Sequence, residues 1–425
     1  MPELFEYQRT GARWLAGGTS RMLADEMGLG KSAQAVGALD ELGGLRATVI
    51  CPAIMCSAWA DTFRDFGDVP RSVGVIRSGR PPDNYVAICS YERASQPEIT
   101  EHLARRGGHL VVDESHYIKE PDAKRTRAVL QIAQAADRVS FLSGTPIVNH
   151  AGELYPMLRH CGYFRGTYSQ FLARYCVTRE TDHGFSVLAH RNVDELRSLL
   201  SHFMLRRQHA IELPPTRWLD LRADLSQCDT RSDAFRELRR LAPHAAGRAA
   251  AVARTGDLKA LEDSETAYER RLVGMLKVPI VAREAIDVLD RRPTNKIVLF
   301  TYHTAVLEAL AATLAPWGVV TLDGSTPEKQ RGLRVKQFQT GETCRVAICQ
   351  MKAAGVGITL TAANHLRIVE PSWTPAENDQ AAKRIVRIGQ TRPTTVGTWF
   401  LSGSIDDATE RVLRRKARLI DEIVN

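Results

Sequence analysis

The segment Asp25-Glu26-Met27-Gly28-Leu29-Gly30-Lys31-Ser32 carries the residue types needed to hold a polyphosphate. It lies between an apolar stretch, Met22 to Ala24, that reads as a strand, and a helix opening near Ser32. Backbone N–H groups in such a loop, together with the positive end of the helix, favour an anion. Gly28 and Gly30 let the backbone approach phosphate oxygens. Lys31 has the reach for the β- and γ-phosphates, and the Ser32 hydroxyl suits Mg2+. Asp25 stands where a generic phosphate loop has its first glycine. A turn that merely caps a helix has a similar pattern, so the rest of the chain must decide.

Three further groups supply chemistry in chain order. His109-Leu110-Val111-Val112-Asp113-Glu114 is an apolar strand ending in two carboxylates. The first can hold Mg2+, and the second can orient and polarise a water that attacks a γ-phosphate. Ser143-Gly144-Thr145-Pro146 follows the next strand, at the carboxyl end of a parallel sheet, where ligands bind. Its hydroxyls are placed to sense a nucleotide and relay its state, although a tight turn stopped by Pro146 is the plainer alternative. Finally, Arg384 and Arg387 are spaced to share one face of a helix. Two such guanidinium groups can bind charge developing on a transferred phosphoryl group, although a basic helix face is more often simply solvated.

These groups need a scaffold. Short β-branched runs alternate with helical stretches in both halves of the chain: Ala47 to Cys51, Val73 to Ile76, Tyr85 to Ser90, His109 to Asp113 and Arg138 to Leu142, then Lys296 to Thr301, Val319 to Leu322, Arg345 to Cys349, His365 to Glu370 and Thr395 to Leu401. Alternation of this kind predicts parallel sheets covered on both faces. The fold class is therefore α/β with two lobes, at residues 1–207 and 291–425. Between them, residues 208–290 read as a helical, arginine-rich insertion in which the strand signal disappears. Residues 405–424 read as a closing helix.

The 425 residues leave room for two or three domains. No run of about 18 apolar residues suggests a membrane span, and the N-terminus has no signal-peptide pattern. The eight cysteines form no Cys-x-x-Cys pair or zinc pattern, which favours a reducing compartment. The net charge of +8 favours a polyanionic partner only modestly.

In this order the motifs resemble those of Swi/Snf-type DNA translocases of helicase superfamily two. The resemblance runs from Leu4 to about Lys416. Tyr7-Gln8-Arg9-Thr10-Gly11 resembles the family's adenine-reading motif. Asp25 to Ser32 matches its Asp-Glu-Met-Gly-Leu-Gly-Lys-Thr motif, with Ser for Thr, which accounts for the missing glycine. Cys51-Pro52-Ala53 with Trp59, Ser90-Tyr91-Glu92, Asp113-Glu114-Ser115-His116, Ser143-Gly144-Thr145-Pro146 and Met204-Leu205-Arg206-Arg207 follow. In the second lobe, Asp323-Gly324-Ser325-Thr326, residues 355–363, Trp373-Thr374-Pro375 and Gln380 to Gln390 match, with Lys383 and Val386 standing where Asp and His are usual. The annealing-helicase group is the nearest in appearance.

The resemblance implies two tandem RecA-like lobes with ATP and Mg2+ in the cleft between them. It assigns Gln8, Asp25, Gly28, Leu29, Gly30, Lys31, Ser32 and Gln390 to nucleotide binding, and Ser32 and Asp113 to the metal. Lys31, Asp113, Glu114, Arg384 and Arg387 would be catalytic, and Ser143, Gly144 and Thr145 would couple hydrolysis to movement. Ser90, Tyr91, Lys352, Thr359 and Trp373 are candidate DNA contacts, with core packing an equal alternative for Tyr91 and Trp373. The expected partner is double-stranded or forked DNA held mainly through phosphates, with a single-strand-binding or other recruiting protein as a further partner. The expected molecule is a monomeric bare motor of the size found in bacteria or their phages, acting in the cytoplasm. A strand-separating helicase, a motor on RNA, an annealing motor and a binding module with little turnover are the alternatives.

Overall fold

The computed structural model describes residues 3–77, 85–181, 184–208, 212–241, 264–351 and 358–424. The chain divides into two compact units: Met1–Val177 with Ala189–Glu212 and Leu419–Asn425, and Thr178–Leu188 with Leu213–Arg418.

The strands of the first unit are β1 (Ser20–Leu23), β2 (Ala47–Cys51), β3 (Val73–Ile76), β4 (Val86–Ser90), β5 (His109–Asp113) and β6 (Arg138–Leu142). A hairpin-like pair, β7 (Cys176–Thr181) and β8 (Gly184–His190), precedes a short β9 (Met204–Leu205). β2, β4 and β5 are buried along their whole length, as continuous apolar runs in a parallel sheet must be. The sheet order is β3-β4-β2-β5-β6-β1-β9, and every adjacent pair is parallel. Two consequences follow for function. The carboxyl end of β1 lies beside the ends of β6 and β9. The helices Glu6–Ala16, Lys31–Glu41 and Cys56–Phe66 pack their Leu15, Val36, Leu39, Trp59 and Phe63 side chains in one core with Val49, Ile88 and Val111.

The second unit holds β10 (Thr216–Asp224), β11 (Ile297–Thr301), β12 (Val319–Leu322), β13 (Val346–Gln350), β14 (His365–Ile368) and β15 (Thr394–Ser402), in the order β10-β15-β14-β11-β13-β12 and all parallel. Side chains along β11 alternate between two cores: Ile297 and Leu299 face one, Val298 and Phe300 the other. The helix Ser264–Arg291 fills the first of these with Leu272, Val273, Leu276, Val281, Ala285 and Leu289.

This corrects the reading of residues 208–290 as a helical insertion. Its described residues from Leu213 onward belong to the second unit, and Thr216–Asp224 is an edge strand paired with β15 over nine residues. Leu219, Leu221 and Ala223 turn inward while Trp218, Asp220 and Arg222 are exposed. Half of an edge strand's residues are polar, so no apolar run marked it, but the period-two alternation was present. The closing helix spans Asp406–Val424. Its buried Asp406 accepts from the buried Lys277 ammonium at 2.8 Å and from the Leu401 amide at 2.9 Å. All eight cysteines are free thiols, and all but Cys161 are buried. Among the described residues no helix is long and apolar enough to cross a membrane.

Candidate nucleotide site

The phosphate-type loop leaves β1 and enters the helix Lys31–Glu41 through Gly30, whose φ of 73° and ψ of 41° lie in the left-handed region that glycine adopts without strain. Gly30 brings no capping side chain, so the amides at this helix N-terminus are left for an anion. A Cβ at Gly30 would run into the Gln8 amide. Gln8 is buried, takes the Phe5 N–H on Oε1 at 3.0 Å and donates through Nε2 to the Leu29 carbonyl at 3.2 Å. An amide has two donors and two acceptor sites. The Gln8 side chain also bonds that of Tyr7, so these contacts hold it against the loop.

Asp25 is fully buried and faces away from this surface. Its two oxygens accept from Arg207, Nε to Oδ1 at 2.9 Å and Nη2 to Oδ2 at 2.5 Å, and Gln34 Nε2 donates to Oδ2 at 3.1 Å. Arg207 also donates to Gln34 Oε1 at 2.8 Å and to the Tyr7 carbonyl, and lies over the Tyr7 ring. The expectation that Asp25 touches the nucleotide is therefore corrected: its carboxylate is consumed in fixing the loop. Leu29 anchors the same loop through its backbone. Its carbonyl is the loop's tether, accepting from Tyr7 Oη at 3.1 Å, Gln8 and Gln34 Nε2 at 3.1 Å. Arg207 and Gln34 had no role assigned from sequence. The unusual Asp25 at a glycine position and the Arg206-Arg207 pair were the available signals.

Lys31 donates to the carbonyls of Asp25 at 2.8 Å and Glu26 at 3.4 Å, and burial lowers its pKa against the opposing pull of Glu114, Asp25 and Asp113. Asp113, at the end of β5, is pushed up to about 7 by burial and then by the Glu114 charge, while hydrogen bonds from Trp59 and the Glu114 amide work the other way. The Trp59 indole N–H reaches Asp113 Oδ2 at 2.8 Å, and the Glu114 N–H reaches Oδ1 at 3.0 Å. Two acids crowded in a dry place favour a nearby cation. Oxygen donors such as Asp113 and the half-buried Ser32 suit a hard divalent ion. The residues present therefore fit Mg2+.

Glu114 is one of two non-glycine residues with positive φ among those described, at φ 50° and ψ 53°. Backbone in this region is held by its surroundings. Here the Tyr91 hydroxyl donates to the carbonyls of Asp113 at 2.6 Å and Glu114 at 3.3 Å. Tyr91 is 1% exposed and stacks on Tyr117. That corrects Tyr91 as a DNA contact: it braces the acidic turn. Ser90 is likewise buried, with its hydroxyl capping the helix Tyr91–Ala94 by accepting the Arg93 N–H.

Ser143, Gly144 and Thr145 come to the same place. His116 Nδ1 lies 3.4 Å from Glu114 Oε2 and 3.1 Å from Ser143 Oγ, which also accepts the Thr145 N–H at 3.1 Å. A Cβ on Gly144 would meet Met27 and lie 3.2 Å from Lys31 Nζ, so only glycine lets this turn approach the phosphate loop so closely.

In the second unit Arg384 and Arg387 lie beyond the end of the helix Pro375–Ala382, in turns. This corrects their expected place on one helical face. They still converge, because both donate to the Ile358 carbonyl, at 3.5 and 3.2 Å. Burial lowers the Arg387 pKa. Gln390 is corrected as a nucleotide contact. It is buried, its Nε2 donates to the carbonyls of Thr361, Ala363 and Ile385, and its Oε1 accepts from Thr391 and Arg392. Thr359 is half-buried. Trp373 is half-buried, with the Arg270 guanidinium 4.9 Å from its ring centre and 4.7 Å from that of Tyr302. Lys352 lies outside the described residues.

Two parallel α/β units, the first with a phosphate loop and a paired-acid strand end, define a helicase-type nucleotide-binding protein. Residues 7–232 match the SNF2-related domain and residues 280–389 the helicase conserved C-terminal domain. The first match spans more than half the chain, and the protein belongs to the SNF2-related family of helicase superfamily two. It is 27% identical, over 99% of its length, to a SWI/SNF-related matrix-associated actin-dependent regulator of chromatin subfamily A-like protein 1 homolog of Caenorhabditis elegans, and covers 62% of that protein. It is 28% identical, over 100% of its length, to the DNA annealing helicase and endonuclease ZRANB3 of Bos taurus, covering 41% of it. Among solved structures, the Sulfolobus solfataricus SWI2/SNF2 ATPase core in complex with dsDNA is similar at a TM-score of 0.46 and 23% identity, covering 100% of this chain and 93% of that one. The chain thus spans 62% and 41% of the length of these two curated relatives.

Proposed function

We propose that this chain is an ATP-dependent motor that moves on double-stranded DNA, hydrolysing ATP at the site built on β1 and β5. The observation that carries the reading is the convergence of an uncapped helix N-terminus at Gly30, the half-buried Lys31 side chain, and the Asp113–Glu114 pair at the carboxyl end of one sheet. Gly28, Gly30 and Lys31 bind phosphate oxygens. Ser32 and Asp113 hold Mg2+, which when bound supplies charge neutralisation to the phosphates. Glu114 accepts a hydrogen bond from the attacking water and orients it. Arg384 and Arg387 are assigned to the charge that develops on the phosphoryl group, and Gln8 to adenine. Ser143 and Thr145, linked to Glu114 through His116, give the acid pair a route to report on the nucleotide. Residues 1–207 form the nucleotide-binding lobe in this reading, and 291–425, joined by the described part of 208–290, the second motor lobe.

DNA binding is assigned mainly to phosphate contacts, without sequence preference and sensitive to salt. Thr359 and Trp373 remain candidate contacts, with Lys352. The similarity to ZRANB3, named as a DNA annealing helicase, favours a second reading in which forked DNA is the preferred substrate and separated strands are rewound. ATP hydrolysis measured at one low salt concentration without nucleic acid, and with duplex, single-stranded, forked DNA or RNA, tests both. Duplex or forked DNA is expected to stimulate most, and a fork preference supports the annealing reading. Stimulation by RNA alone overturns the proposal.

A further inference from the structure

We infer that Trp59 is a positioning residue for the metal-holding carboxylate, and that its indole N–H, not only its bulk, is required. This rests on the proposed assignment of Asp113 to Mg2+. Trp59 is 1% exposed, on the helix Cys56–Phe66, packed in the core beside Phe63. A buried indole has one polar atom and normally finds it a partner. Here the partner is the Asp113 Oδ2 atom at 2.8 Å, a charge-assisted bond across 54 residues of sequence. The other oxygen, Oδ1, is held by the Glu114 amide at 3.0 Å.

Two donors from two different elements therefore fix the plane of this carboxylate. The amide comes from the turn that carries Glu114, so it moves with the acids themselves. The indole comes from a separate, rigidly packed helix, so it references the Asp113 carboxylate to the core, as the Tyr91 hydroxyl does the Asp113 carbonyl. Lys31 supplies the reason a reference is needed. Its ammonium exerts an attractive pull on Asp113, yet it donates to the carbonyls of Asp25 and Glu26. A carboxylate released by Trp59 would be free to turn toward that ammonium. One such movement would remove a metal ligand and draw Lys31 off the phosphates. Groups that orient a metal's ligands typically alter metal affinity by about 10- to 100-fold when removed.

The test is Trp59→Phe, which keeps an aromatic ring in the core and deletes the donor. Mn2+ binding in the presence of ADP, followed by the electron paramagnetic resonance of free Mn2+, reads the metal site without turnover. We expect Mn2+ affinity to fall about 10-fold, with ADP affinity in the absence of metal unchanged. The Mg2+ concentration giving half-maximal ATP hydrolysis should rise by a similar factor, and excess Mg2+ should restore part of kcat. A Trp59→Phe protein with Mn2+ affinity within about twofold of wild type makes Trp59 a packing residue and overturns the inference. Failure of the wild-type protein to bind Mn2+ with ADP would instead overturn the metal assignment beneath it. A measurement on unsubstituted Trp59 covers the case in which the variant does not fold. Its indole N–H resonance, assigned by replacing the other five tryptophans in turn, should shift on adding Mg2+ with ADP and not with ADP alone. An unmoved resonance overturns the inference.

Discussion

Replacing Arg207 with Met should unlock the phosphate loop. Arg207 meets Asp25 through two parallel hydrogen bonds, and the carboxylate it meets has no solvent exposure. Methionine fills similar volume but leaves a buried charge with the Gln34 amide as its remaining side-chain donor. Breaking one side of a buried ion pair costs about 3–5 kcal/mol. For a unit of this size that corresponds to a melting shift on the order of 10 °C. The two units need not unfold together, so the first must be followed on its own. Trp14 and Trp59 lie in it and the other four tryptophans in the second, which allows urea unfolding to be read by fluorescence after replacing those four. Loss of stability in Arg207→Met should be accompanied by loss of ADP binding, because the tether runs through Gln34 to the Leu29 carbonyl. Adding Asp25→Asn removes the stranded charge and should recover about 2 kcal/mol or more. A loss below about 1 kcal/mol in Arg207→Met, or a double variant as unstable as the sum of the single ones, would refute the argument.

Other expectations are as direct. Lys31→Ala and Glu114→Gln should each abolish ATP turnover while DNA binding, measured by fluorescence anisotropy, stays near wild type; normal turnover in Glu114→Gln removes it as the water-orienting residue. Arg387→Ala should slow hydrolysis far more than it weakens ATP binding, and equal losses would mark Arg387 as structural. Gly144→Ala places a methyl against Met27 and beside Lys31 Nζ and should lower kcat with little effect on stability of the second unit; unchanged kcat would show that the turn can retreat. His109 is buried beside Ser140 and Arg138, and burial first, then the Arg138 charge, lowers its pKa from 6.5 to about 4. Below pH 6.5 the unfolded chain takes up a proton that the folded one refuses, so stability falls from pH 6.5 to about pH 4 and then levels. The shift corresponds to about 3 kcal/mol. His109→Gln should flatten that slope in urea titrations of the first unit, and an unchanged slope would assign the acid sensitivity elsewhere.

The motif order, the buried strands and the paired acids at the end of β5 were legible in the sequence because each is written locally. Val86–Ser90 and His109–Asp113 are uniform apolar runs, and Gly30-Lys31-Ser32 has its chemistry within three residues. The edge strand Thr216–Asp224 was hidden by its polar outward face, and Gln390 looked like a ligand contact until its five bonds filled its amide. Which distant residues become neighbours was settled by the packing of the elements. β9 pairs with β1, and this brings Arg207 to Asp25 across 182 residues. The packing of the helix Cys56–Phe66 against the sheet brings Trp59 to Asp113, and the end of β4 delivers Tyr91 beneath the acidic turn. The chemistry available can be read from short segments, because side-chain type and local periodicity belong to them. The bracing of that chemistry depends on sheet order, which is settled by the burial of whole strands against one another.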